Sequence, residues 1–174
     1  MELPLWKALV KKTQNPLSEI QNFLHHTVLF GELPRRTLRE VARLIHKRSY
    51  YNGEVIFRQG QAGLGLFLIM EGKVEIFSER DGIQMKLADL HRGAFFGELS
   101  LFSDEPRSAT AICKEETILL GFFQPELEQL IKTKPRSGNE ILMRFSRVIT
   151  ERLLKTNEVL EKAYLKGKLK REGK

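Results

Sequence analysis

Between Arg48 and Phe123 the chain reads as short strands separated by glycine turns, and helical patterns lie on both sides of that segment. Side chains repeat every two residues in a strand and about every 3.6 in a helix, so the change of period confines any sheet to the middle of the chain. RSYY and EVIFRQ flank Asn52-Gly53, and KVEIFSE and IQMKLADL flank Asp81-Gly82; both dipeptides can adopt the positive φ angles of a tight hairpin turn. Val74, Ile76, Ile83, Met85 and Leu87 alternate with Lys73, Glu75, Gln84 and Lys86, which predicts a sheet with one wet face. Leu66 to Met70 is continuously apolar and is expected to be buried on both sides. RSATAIC and ETILLGFF bring the expected count to about seven or eight strands, enough for a small antiparallel barrel or jelly roll.

Helices frame this core. Upstream, LWKALVKK, PLSEIQNFLHH with Pro16 near a helix start, and LPRRTLREVARLIHK with Leu38, Val41, Leu44 and Ile45 at helical spacing predict a helical segment over 1–47. The roll then spans 48–123. Downstream, over 124–166, PELEQLI opens on Pro125, a residue tolerated in a first helical turn, and a break at KPRSG precedes a long helix from Gly138. Leu142, Phe145, Ile149, Thr156, Val159 and Ala163 approximate a three-four spacing that Arg152 interrupts, which predicts packing partly on the barrel and partly on a second copy of the chain. Residues 167–174 form a basic tail.

A chain of 174 residues suits one domain with helical extensions. Apolar runs fall well short of the ~20 residues a membrane span requires, and MELPLWKALVKK lacks a signal-peptide pattern. The lone Cys113 excludes an internal disulfide, so a cytoplasmic setting is expected. The net charge is +7, but residues 162–174 hold six basic residues and one acid, or +5, which leaves only +2 for the rest. A solvated basic tail explains that imbalance, and direct DNA binding is not expected because no basic recognition helix follows a tight turn. His25, His26, His46 and His91 lack the spacing of metal ligands, and Cys113 has no triad partner in sequence; no enzyme activity and no metal are expected.

The chemistry concentrates in FFGELSLFSDEPRSATA, Phe95 to Ala111. Gly97 opens a stretch long enough for one or two helical turns, whose unpaired amides would face an anion, and it lets the backbone touch a ligand directly. Glu98 can accept hydrogen bonds from a sugar hydroxyl, and the planar fork of Arg107 fits a phosphate. Pro106 fixes the approach to that arginine, while Ser108, Ala109 and Ala111 keep the next strand close. Two readings follow: a sugar-phosphate site, or a buried structural salt bridge between Glu98 and Arg107. Composition alone leaves the salt bridge slightly ahead.

FGELSLFSDEPRSAT resembles the phosphate-binding cassette of the cyclic nucleotide-binding domain family, F-G-E-L/I-A-L-x(several)-P-R-x-A-T. Phe96, Gly97, Glu98, Leu99, Leu101, Pro106, Arg107, Ala109 and Thr110 match it, with the intervening length typical of protein kinase A regulatory subunits. LFGELPRRTLREVARLI, YYNGEVIFRQG and LFLIMEGKVEIF extend the resemblance over about residues 22 to 160. It implies an α+β fold, an eight-stranded antiparallel β-roll flanked by N-terminal helices and a long C-terminal helix. It implies a ligand-binding set of Phe96, Gly97, Glu98, Leu99, Ser100, Pro106, Arg107, Ser108 and Ala109. Glu98 would take the ribose 2′-hydroxyl, Arg107 the exocyclic phosphate oxygens, and the amides of Gly97 and of the Ser108-Ala109 peptide the rest of the phosphate.

Ser108 stands where a hydroxyl can reach the amino group of guanine but does not decide the base; cAMP is favoured over cGMP. Phe145, Arg147 and Arg152 are candidates for the base, with packing or solvation as the alternative role. One turn departs from the family: QAGLGL stands where polar residues are usual, and it is expected to lie away from the cassette. The implied function is a cyclic nucleotide sensor whose helices move on binding, with no cofactor, a homodimer through the C-terminal helix, and an effector protein. The alternative is a degenerate fold kept as a protein-interaction module without ligand.

Overall fold

The computed structural model describes residues 15–172, with side chains described through Leu165. The LWKALVKK segment therefore lies outside the described residues, as do the side chains of the basic tail. Helix α1 (Pro16–His25) starts where Asn15 accepts a hydrogen bond from the Leu17 amide at 3.1 Å and Pro16 fills the first helical position. It buries Ile20, Phe23 and Leu24, and α2 (Arg35–Ala42) buries Leu38 and Val41 beside it.

Eight strands follow: β1 (His46–Tyr50), β2 (Val55–Phe57), β3 (Gly65–Glu71), β4 (Lys73–Arg80), β5 (Ile83–His91), β6 (Phe95–Phe96), β7 (Thr110–Cys113) and β8 (Thr117–Phe123). They form two four-stranded antiparallel sheets, in the orders β1-β8-β3-β6 and β2-β7-β4-β5. This is the eight-stranded β-roll that the resemblance implied. Period two explains the unbroken apolar run of β3: Leu66, Leu68 and Met70 point to the helices, and Ile69 points into the roll. β8 divides the same way, with Leu120 and Phe122 against the helices and Leu119 inside.

Three sequence expectations need correction. Asn52-Gly53 does not close a hairpin: β1 pairs with β8 and β2 with β7, and of the two residues only Gly53 has a positive φ, +81°. The Gly53 amide instead donates to the Cys113 carbonyl at 2.8 Å, which ties the turn to β7. Asp81-Gly82 does close the β4–β5 hairpin, with φ of 54° and 74°. The wet-face expectation fails at the far end of that hairpin, where Ile83, Met85 and Leu87 are all exposed alongside Gln84 and Lys86. β5 is an edge strand, and a register shift at Ile76/Phe77 breaks the ladder just where the hairpin leaves the roll.

The break before the last helix is also narrower than KPRSG. α3 (Gln124–Thr133) and α4 (Pro135–Glu172) are separated by Lys134 alone, with Pro135 opening α4. Gly138 lies inside α4 because a Cβ there would stand 2.8 Å from the Ile131 Cα; the glycine lets α3 and α4 pack backbone to side chain. The first turns of α4 bury Ile141, Phe145 and Val148 against the body, and from Thr150 to Leu165 every side chain is exposed.

Candidate functional site

The segment from Phe95 to Ala109 forms one wall of a cleft of about 550 Å³. Phe57, Ile76, Leu87 and Leu90 supply an apolar wall from the second sheet, and Arg152 of α4 reaches the rim. All nine residues expected to bind ligand line this cleft: Phe96, Gly97, Glu98, Leu99, Ser100, Pro106, Arg107, Ser108 and Ala109. Its size falls in the range of small-molecule pockets, roughly 300–1,000 Å³.

Gly97 has φ of +74°, a conformation that L side chains avoid, and its absent Cβ leaves room for the Arg107 guanidinium. The helix it opens is a single 3₁₀ turn, Glu98–Leu101, shorter than the one or two helical turns expected. The backbone of Arg107 is held on both sides, since its amide donates to the Gln61 carbonyl and its carbonyl accepts from the Gly60 amide, each at 2.8 Å. Its side chain rests on an aromatic floor, with the guanidinium 4.1 Å from the Phe57 ring centroid and Phe67 and Phe96 stacked beside that ring at 5.7 Å.

The turn 61–64 does not lie away from the cassette as expected. A Cβ on Gly63 would overlap the Ser100 hydroxyl and the Arg107 Nε, so this turn packs directly on the arginine. The absent side chain of Gly63 permits the approach, one position before Leu64 and Gly65, the residues that depart from the family's polar turn.

Glu98 and Arg107 do not form the structural salt bridge that composition favoured. Arg107 is 7% exposed; its Nη1 donates to the Gly97 carbonyl at 2.9 Å, and its Nε has no hydrogen-bond partner among the described residues. Burial pushes its pKa down and the charge of Glu98 pushes it up, with burial the larger effect; an arginine nevertheless stays cationic. Glu98, 8% exposed, pairs instead with Arg152, whose Nη1 donates to Oε1. The Arg152 guanidinium also lies 4.3 Å from the Phe95 ring centroid, and its Nη2 donates to the Phe95 carbonyl at 3.4 Å. The cleft thus holds a buried cation bonded to no carboxylate among the described residues, beside a carboxylate that already has a cation.

The remaining candidates separate cleanly. Phe145 is core, edge-on to Phe30 at 5.8 Å and to Phe102 at 5.3 Å, and does not line the cleft. Arg147 lines a different groove with Glu140 and Met143. Only Arg152 reaches the site, and its interruption of the apolar spacing was the visible sign. Ala111 lies in the roll interior, whereas Ser108 sits exposed at the rim. Sequence reasoning missed Phe57, Leu87 and Leu90; Leu87 had a trace in the alternation of β5, but Phe57 had none.

Residues 47–134 match the family model of the cyclic nucleotide-binding domain. The chain is 37% identical over 106 residues to the cyclic AMP receptor protein of Thermus thermophilus, a match that covers 60% of this chain and 49% of the relative. It is 31% identical over 102 residues to cGMP-dependent protein kinase 2 of Mus musculus, covering 58% of this chain and 13% of that protein. The chain therefore spans less than half the length of either relative. The crystal structure of the Thermus thermophilus catabolite activator protein superimposes with a TM-score of 0.69 at 31% identity, over 78% of this chain and 62% of that one.

Proposed function

The chain belongs to the cyclic nucleotide-binding domain family, and from that premise we propose that the cleft binds cAMP in preference to cGMP and reports its presence through α4. The observation that carries this reading is Arg107, a buried guanidinium in a cleft of nucleotide size that makes no ion pair among the described residues. An anion in front of it would supply the missing counter-charge. In this assignment Arg107 takes the phosphate, with the Gly97 and Ala109 amides beside it. Glu98 accepts a ribose hydroxyl through the oxygen that Arg152 leaves open. The base lies against Phe57, Leu87 and Leu90, and Ser108 stands at the rim. With about 22 heavy atoms at roughly 0.3 kcal/mol each, binding of ~7 kcal/mol corresponds to a micromolar affinity, which suits a second messenger.

Output follows from Arg152. It ties α4 to Glu98 and Phe95, so a ligand on Glu98 acts on the helix through one side chain. Ile149, Leu153, Thr156, Leu160 and Ala163 repeat at four-three spacing on α4, and Leu153 and Leu160 are 58% and 68% exposed. That stripe is a coiled-coil seam, and a homodimer through it is the assembly we assign to the sensor. No helix among the described residues is long and apolar enough to cross a membrane.

One observation favours a second reading, an interaction module that binds no nucleotide: Arg152 already neutralises Glu98. Calorimetry with cAMP and with cGMP at tens of micromolar decides between them. Heat with cAMP, weaker heat with cGMP, and loss of both in Arg107→Ala at unchanged melting temperature support the sensor; no heat with either nucleotide supports the module. Sedimentation velocity of Leu153→Glu with Leu160→Glu tests the seam, and a wild-type monomer at all concentrations would remove the dimer.

A further inference from the structure

A groove of about 500 Å³ runs between α1 and α2, separate from the cleft at the cassette, and no carboxylate among the described residues lines it. Its walls are His25, His26, Arg35 and Arg39, with Ser18 and Gln21 as uncharged donors. Gln21 Nε2 donates to the Arg35 carbonyl at 3.2 Å, which holds the two helices at the width of the groove. Arg35 and Arg39 stand on the exposed face of α2 and Arg43 follows directly after its end, at i, i+4 and i+8, and none of the three is ion-paired among the described residues. The neighbouring cations do find partners: Arg36 lies 3.5 Å from Glu40 and Lys47 lies 3.3 Å from Glu19. Folding has therefore supplied counter-charges around the stripe while leaving the stripe itself uncompensated.

We propose that this groove docks an acidic, extended segment of a partner protein, with Arg35 and Arg39 as its principal anchors and Arg43 as the continuation of the track. Three features select a peptide. The surface is a groove between two helices, a concave site that suits a single chain more than a flat bilayer. Leu38, its apolar wall residue, is 1% exposed, so the groove offers nothing to insert into lipid. Arginine forks pair with carboxylates through two parallel bonds, and the i, i+4 spacing sets successive forks one helical turn apart.

The position makes the groove useful to the rest of the molecule. The opposite face of α2 contacts the start of α4, where Thr37 donates to Glu140 and Lys134 Nζ lies 3.1 Å from Glu40. A partner held on the outer face of α2 would thus sit across one helix from α4. Docking at this groove does not depend on whether the cleft takes a nucleotide.

Fluorescence anisotropy of a labelled glutamate-rich peptide against the full chain tests it. Binding should be saturable, should weaken as salt is added, and should fall roughly tenfold in Arg35→Glu with Arg39→Glu. Arg35→Gln with Arg39→Gln should fall less, and both pairs should keep the wild-type melting temperature. Arg80→Glu with Lys162→Glu makes the same change in net charge away from the groove and should bind like wild type. Equal loss in that control would show attraction to bulk charge and overturn the proposal, as would a wild type that does not bind the peptide. Phosphatidylserine vesicles captured through Arg35 and Arg39, with no peptide bound, would overturn it in favour of a membrane surface.

Discussion

The two halves of α4 belong to one unbroken helix yet are held in different ways. Ile141, Phe145 and Val148 are sunk in the main core beside Phe30, Leu127 and Leu130, whereas from Thr150 to Leu165 the hydrogen bonds and ion pairs to the body, among the described residues, come from Arg152. The first half is determined by the fold of this chain; the second exposes Leu153 and Leu160, the stripe proposed above to pair with a second copy. A rigid rod anchored at one end passes a small displacement at its base to its free end, and the single polar tie at Arg152 lies where the two halves meet.

Substitutions in the two halves test that contrast most directly. Phe145→Ala removes a ring 2% exposed that meets Phe30 and Phe102 edge-on, and should cost about 3–5 kcal/mol of stability in urea unfolding. Leu160→Glu in the free half should shift monomer stability by no more than about 0.5 kcal/mol. Comparable losses from both, measured at a concentration where the protein is monomeric, would erase the distinction. A smaller effect is expected at the cassette. Gly97→Ala forces a side chain into a left-handed conformation at about 1–2 kcal/mol and crowds Arg107 Nη1, so nucleotide affinity should fall roughly tenfold or more by calorimetry. An unchanged affinity would show that the position of Arg107 does not depend on that glycine.

Much of this arrangement was legible in the sequence because it is local. Gly97, Glu98, Pro106 and Arg107 occur within a dozen positions, and the Asp81-Gly82 turn closes the hairpin between its flanking strands. What stayed hidden depends on residues far apart in the chain. Glu98 looked like the partner of Arg107, nine positions away, but its partner is Arg152, on a helix whose direction no spacing rule gives. Asn52-Gly53 looked like a hairpin because its flanks alternate, and only the partners of β1 and β2 show that they join different sheets. Leu64 and Gly65 read as a departure in a turn away from the cassette, whereas the neighbouring Gly63 brings that turn against Arg107. Phe145 and Arg152 carry equal weight as sequence candidates, yet seven positions, nearly two full turns on one face, carry Arg152 about 10 Å farther along the helix, so that one lies in the core and the other at the cleft.

The junction between the halves should respond to a milder change. Arg152 is half exposed, so its pair with Glu98 contributes about 1 kcal/mol or less after solvent screening. Arg152→Gln should leave the melting temperature nearly unchanged but speed amide exchange around residues 149–156, where the tie is lost, with residues 141–148 as protected as before. Uniform exchange along α4 in the wild type would mean that the tie does not divide the helix.

The smallest effect is expected at the base of the anchored half, where pH acts on Glu40. Burial raises the pKa of this carboxyl, while the Ser137 hydroxyl and the Lys134 and Arg36 cations lower it, and the net shift is below the usual carboxylate value. Lys134 Nζ at 3.1 Å and Arg36 Nε at 3.5 Å are the charges on either side. A carboxyl depressed in the folded state contributes stability above its unfolded pKa, near 4.3, and that contribution is lost as pH falls through the folded value. Melting temperature should therefore decline from about pH 5 downward in the wild type. Glu40→Gln should start lower and decline less steeply over the same interval, and parallel curves for the two proteins would show that Glu40 is not the group that joins α2 to the start of α4.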